Sequence, residues 1–160
     1  MTIHKVDVLM EQTRQLAAEF YRTTQEALPV TAELAKYDAI RLLDLSMPEN
    51  PSPGIDAIAK AGSVDAQRLQ IKGRVVFNEH KSNYRLGQIN TDAQWDGLLL
   101  VLYGADYRVT EIYLAGKSTV MAAVTEHVNP KRSKRGAMSI AKFKAISQQI
   151  WVAGNTDQQI

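Results

Sequence analysis

The chain contains no cysteine. Disulfides, a thiolate nucleophile and cysteine-ligated zinc or iron–sulfur centres are excluded with it. Histidine is nearly as scarce, and His4, His80 and His127 stand too far apart for a zinc-binding helix, so a zinc enzyme is not expected. Charge of one sign is also missing: 19 basic against 17 acidic residues leave a net charge of +2, too little to define a partner. No apolar stretch approaches the roughly 20 residues that cross a bilayer, and the N-terminus lacks the basic, apolar, small-residue order of a signal peptide. The expectation is a cytoplasmic protein with no membrane partner.

What is present is an ordinary globular composition: 160 residues, 45% hydrophobic and 22% charged, enough for one domain with its own core. Val6, Leu9, Met10, Leu16, Ala17, Phe20 and Ala27 recur at helical spacing, predicting a helix over 5–28 that ends at Pro29. Thr31 is suited to N-cap a second helix running to about Leu43, where Glu33 in the first turn complements the helix dipole. Three prolines make 45–54 a loop. A short strand at 55–59 and a second at 68–77 flank a turn rich in Gly62, Ser63 and Asp65. The polar stretch 78–94 has no periodicity to assign it.

Trp95–Tyr103 carries a continuous apolar run that suits a strand buried on both faces, and 107–114 alternates as its antiparallel neighbour. A short helix over 118–127 follows. Ser139 then caps a last helix with Ile140, Phe143, Ile146 and Ile150 on one face.

Gly116-Lys117-Ser118-Thr119 imitates a phosphate-binding loop. That loop needs another glycine five residues before Gly116, where the chain has Glu111, so a plain strand-to-helix turn is expected. A better constellation lies earlier. In Arg68-Leu69-Gln70-Ile71-Lys72-Gly73-Arg74, strand alternation puts Gln70 and Lys72 on one face, near Gly54-Ile55-Asp56-Ala57-Ile58. Magnesium takes hard oxygen ligands and keeps several waters. Asp56 offers a carboxylate, Gln70 an amide oxygen and Ile71 its main-chain carbonyl, while Lys72 can stabilise charge on phosphorus or orient the attacking water.

Asp56 after a glycine, with Gln70-Ile71-Lys72 fourteen residues on, resembles the PD-(D/E)XK nuclease superfamily. Glutamine for the usual glutamate is similar to the Gln-x-Lys variant of Mrr-like restriction enzymes and removes one negative charge. The resemblance implies a restriction endonuclease-like α/β fold, a central mixed sheet flanked by helices, filling 1–160 as a single domain. Residues 1–44 would be its helical N-terminal part, 54–114 its sheet core, and 118–152 its C-terminal helices with a basic loop. It further implies hydrolysis of DNA phosphodiesters with Mg2+, for which Mn2+ can substitute. Asp56, Gln70 and the Ile71 carbonyl would be metal ligands, Lys72 catalytic, and Glu33 the upstream helical glutamate that assists the metal. The strand pair around Glu111-Ile112-Tyr113 looks like the pair that follows the motif in blunt-cutting restriction enzymes. The helix usual between the motif strand and the next strand is not visible.

Lys131, Arg132, Lys134 and Arg135 form a basic loop suited to DNA phosphates, a surface that Arg74 and Lys81 extend. Double-stranded DNA is the expected partner and a homodimer the expected assembly, with the first helix as a candidate interface. Two other classes fit the same residues: a nuclease-fold DNA-binding module without catalysis, and a structural or interaction subunit. A Gln70→Glu change is expected to preserve or raise activity if Gln70 faces a metal.

Overall fold

The computed structural model describes residues 3–81, 84–125 and 138–154. Its centre is a five-stranded mixed sheet in the order β1 (Ala57–Ala59), β2 (Gln67–Val75), β3 (Gly97–Tyr103), β4 (Val109–Gly116) and β5 (Gln148–Val152). Neighbouring strands are antiparallel except β2 and β3, which run parallel. Helices α1 (Ile3–Thr24) and α2 (Thr31–Leu42) precede the sheet in sequence, α3 (Lys117–Thr125) follows β4, and α4 (Ile140–Ile146) leads into β5.

Strand alternation sorts the core into two halves. Leu69, Ile71, Leu99, Val101 and Tyr103 pack with Ala17 and Ala18 of α1 and Leu34, Ala35 and Ala39 of α2. Leu98, Leu100 and Leu102 point the other way, against Val120 and Ala123 of α3 and Phe143 of α4. Strand β3 is buried along its whole length, as its unbroken apolar run requires.

The parallel connection from β2 to β3 contains no helix among its described residues. Its irregular course covers the second core half with Leu86, Ile89 and Trp95. It is pinned to the start of α4 by Leu86 N–H donating to the Met138 carbonyl and Ile140 N–H donating to the Tyr84 carbonyl. Burial of three large side chains thus replaces the helix-on-sheet contact that such a crossover usually makes.

Several sequence expectations need correction. The last helix does not reach Ile150. It begins as expected, with Ser139 accepting the Lys142 N–H, but stops at Ile146, and Gln148–Val152 pairs with β4 as an edge strand. The spacing of Ile150 fits a helix by coincidence, while Ile150-Trp151-Val152 is β-branched and aromatic, a strand composition. Helix α2 begins at Thr31 itself, behind Val30, with no side-chain cap. Helix α1 ends at Thr24, where Gln25 turns left-handed, well before Pro29.

The buried face of α1 is also rotated from the expected stripe. Leu9 and Leu16 are 45% and 62% exposed, whereas Arg14 is buried. Its guanidinium donates to both Asp38 carboxylate oxygens, at 3.0 and 2.6 Å, and to the Tyr107 carbonyl. A charged residue at the centre of a helix interface is invisible to a pattern built on apolar side chains. Among the described residues no helix is long and apolar enough to cross a membrane.

Candidate active site

Glycine sets the distance between α2 and β2. A Cβ on Gly73 would stand 2.6 Å from the Ala35 Cβ, so only glycine lets the helix lie this close to the strand. That approach brings Glu33 and Lys36, on α2, towards the outer edge of β2. Pairing of β1 with β2 begins at Ala57 opposite Leu69, so β2 beyond this point has no β1 partner.

Asp56 fills the gap. Its N–H donates to the Leu69 carbonyl at 2.8 Å, and its Oδ2 accepts the Ile71 N–H at 2.8 Å. A strand residue directs its N–H and C=O to the same edge. The Ile71 carbonyl therefore faces the edge where Asp56 stands. The other carboxylate oxygen, Oδ1, is 3.9 Å from the Lys36 ammonium, which is 3.5 Å from Glu33 Oε1. Lys36 thus sits between two carboxylates, of which Asp56 is 19% exposed and Glu33 75% exposed.

Lys72 is half-buried beside this group. Burial pushes its ammonium below the ordinary lysine pKa; Asp56 opposes that shift and Lys36 reinforces it. Asp56, Lys36, Met47 and Ser52 also line an open groove of about 520 Å3 formed with the proline-rich loop. A carboxylate and a carbonyl therefore share one strand edge next to a groove that the Lys36 ammonium also lines.

Gln70 is the exception. It is 2% exposed, and its Nε2 donates to the Gly54 carbonyl at 3.3 Å and the Asn90 carbonyl at 3.2 Å. Its Oε1 accepts the Asn90 N–H at 3.1 Å. Both ends of the amide are bonded to main chain, and the Asn90 carbonyl also accepts the Trp95 indole N–H at 2.6 Å. Gln70 therefore clamps the β2–β3 crossover and the Gly54 turn, in place of the metal-facing role expected from its strand position. Gly54 itself has φ +81° and would place a Cβ 2.5 Å from the Ala93 Cβ, so the clamp also depends on glycine.

The donor set for a divalent cation is accordingly smaller than the sequence implied. Among the described residues no group of three or more His, Cys, Asp or Glu side chains comes together. Asp56 and the Ile71 carbonyl fit a magnesium ion that keeps waters and takes further oxygens from a phosphate. Glu33 fits only with Lys36 displaced, and Gln70 does not fit.

The remaining expected residues lie elsewhere. The Arg74 guanidinium stands over the Tyr84 ring at 5.5 Å and the Lys81 ammonium at 5.7 Å. Glu111 is tied to Tyr113, Lys144 and Gln149. Lys117 of the imitation phosphate loop donates to the Ala93 carbonyl and covers the Trp95 ring, as a plain turn residue can. Lys131, Arg132, Lys134 and Arg135 lie outside the described residues.

Lys36, Asn90 and Tyr84 were not singled out in the sequence. Lys36 had a legible signal, three residues after Glu33 on a helix. Asn90 and Tyr84 sit in the aperiodic stretch, where only the fold reveals their partners. No protein-family model matches the chain, and no curated protein matches it.

Proposed function

We propose that the chain is a metal-dependent nuclease that hydrolyses DNA phosphodiester bonds, of the restriction or phage-defence kind. The observation that carries this reading is the open edge of β2, where Asp56, held by the Ile71 N–H, lines a groove and lies close enough to Lys72 for the two charges to interact. A bound Mg2+ or Mn2+ would supply Lewis-acid stabilisation of the phosphate oxygens and a more acidic water.

The chain's own groups do the rest. Asp56, fixed by the Ile71 N–H, holds its carboxylate at the edge, and together with the Ile71 carbonyl would hold the metal. Lys72 serves as a cation beside the phosphate. Its lowered pKa also eases proton exchange with the attacking water. Lys36 leaves Asp56 for a phosphate oxygen when substrate arrives. Double-stranded DNA in the cytoplasm is the proposed substrate. One site cuts one strand, so a homodimer would cut both.

The test is purified protein with supercoiled plasmid in magnesium, manganese or chelator. Metal-dependent nicking, abolished in Asp56→Ala and Lys72→Ala, is the expected result.

A second reading, a DNA-binding module without catalysis, is favoured by one observation: the Lys36 ammonium already lies between Glu33 and Asp56. It predicts no nicking in any metal, with DNA retention that weakens as salt rises.

A further inference from the structure

The carboxyl ends of β2 and β3 form a second concave site, on the sheet face opposite α1 and α2. Open α/β sheets place ligands at the carboxyl ends of parallel strands. Here a pocket of about 410 Å3, within the usual range of small-ligand sites, has Val76, Leu102 and Ile140 in its walls. Thr110, Glu111 and Lys144 supply polar groups, and Tyr84 with Lys81 forms another part of the lining.

Charge favours an anionic ligand at this rim. Lys144 pairs with Glu111 at 3.2 Å, so those two charges offset one another. The Arg74 and Lys81 side chains instead stand over the Tyr84 ring, leaving N–H donors for a phosphate. Glu79 is the carboxylate that remains among the lining residues. Lys81 offsets it, and Arg74, which stands over the Tyr84 ring outside the lining, leaves the rim one positive charge.

Position links this pocket to the strand edge. Lys72 and Arg74 are two residues apart on one strand, about 7 Å, and project from the same face. A nucleic-acid backbone whose one phosphate meets Lys72 can present the next to Arg74. The attached base then faces a cavity with apolar walls, a tyrosine and hydrogen-bonding groups. A base inside a duplex stack cannot enter such a cavity; an unpaired or extruded one can.

We infer that the pocket between Tyr84, Leu102 and Ile140 takes one unstacked nucleobase of the strand whose phosphates lie on Lys72 and Arg74. This rests on the hydrolase reading for the path of the strand, and it makes DNA with an unpaired nucleotide beside the cut the preferred substrate. The phosphate contacts of Arg74 and Lys81 act on any sequence, whereas the pocket selects for a base free of its stack.

The experiment is fluorescence anisotropy in chelator, with a labelled blunt duplex and the same duplex carrying one unpaired nucleotide. Wild-type protein should bind the unpaired form about 5-fold more tightly or better, the lower end of what stacking of one base supplies. Ala141→Trp, at an exposed position lining the pocket, should abolish the preference while leaving duplex affinity and melting temperature unchanged. Lys81→Ala should weaken both DNAs alike. Equal binding of the two DNAs by wild type, a preference that survives Ala141→Trp, or no binding at all overturns the inference. Plasmid nicking is read separately. Nicking without the preference removes the pocket proposal alone, and the preference without nicking removes the hydrolase reading alone.

Discussion

Asp38 on α2 and Asp56 beside β1 both sit next to a basic side chain, yet the fold completes one and leaves the other open. Asp38 is 6% exposed, takes two bonds from Arg14 and accepts the Tyr103 hydroxyl at 2.7 Å. Burial and the Asp38 charge raise the pKa of Tyr103, so that hydroxyl remains a donor. Asp56 has one main-chain N–H at 2.8 Å and a lysine only at 3.9 Å. A carboxylate can accept about four hydrogen bonds. Asp38 therefore joins α1, α2 and β3, while Asp56 retains oxygen lone pairs for something outside the chain. The pattern of partners, and not the residue type, separates a structural acid from the one proposed to hold the metal.

The largest effect should come from breaking the completed acid. Asp38→Ala leaves the buried Arg14 guanidinium with only the Tyr107 carbonyl and the half-exposed Glu11, 3.4 Å from its Nε, and breaking such a buried pair typically costs about 3–5 kcal/mol. For a chain of this size that corresponds to a fall in melting temperature of roughly 10 °C or more. Thermal unfolding by circular dichroism checks it; a loss under about 3 °C would show that Arg14 finds another partner. Asp56→Ala should do the reverse. Its melting temperature should fall by less than that of Asp38→Ala, only by what the Ile71 N–H loses with its acceptor, while plasmid nicking falls by about 100-fold or more, as loss of a metal-holding group requires. Parallel falls in stability and nicking would erase the contrast between the two acids.

Gln70→Glu sharpens the comparison from a third position. The sequence alone led to the expectation that a carboxylate here preserves or raises activity. In the fold the substitution removes both amide N–H donors and points a carboxylate at the Gly54 and Asn90 carbonyls. The Asn90 carbonyl keeps the Trp95 indole N–H, but the part-buried Gly54 carbonyl loses its side-chain donor and both carbonyls face a like-charged carboxylate, a cost of about 1–3 kcal/mol. The melting temperature should drop, and the drop should shrink at acidic pH as the new carboxyl takes up a proton. A variant as stable as wild type at pH 8, with higher nicking, would return Gln70 to the metal.

Much of the sheet was legible because its signals are local. The buried run of β3, the alternation of β2 and β4 and the Gly62-Ser63 turn before β2 each follow from a few neighbouring residues. The placement of Asp56 against the β2 edge was legible from one hairpin for the same reason. What escaped depends on distant partners. Arg14 is buried because Asp38 faces it, Gln70 is consumed by Asn90 twenty residues later, and β5 is a strand because β4 offers it an edge. Alternation correctly put Gln70 and Lys72 on one face, but it does not report that the crossover covers one and leaves the other half open.

The smallest predicted effect concerns Lys72 and has the opposite sign to the rest. Burial holds its pKa below that of an unfolded lysine, about 10.4. Between the folded and unfolded values the unfolded chain binds more protons, so stability rises with pH across that window. Below the folded value the ammonium is present in both states and its burial penalty acts in full; above the unfolded value the amine is neutral in both and the penalty vanishes. Lys72→Met should therefore raise the melting temperature near pH 7 by about 1–3 °C, a gain of a fraction of a kcal/mol to one. The advantage should fade as pH approaches 10.4, and nicking should be lost at every pH. A group retained at a cost in stability is what a chemical role predicts. If Lys72→Met melts below wild type at neutral pH, the attraction of Asp56 outweighs the burial of the ammonium, and Lys72 belongs with Arg14 among the structural cations.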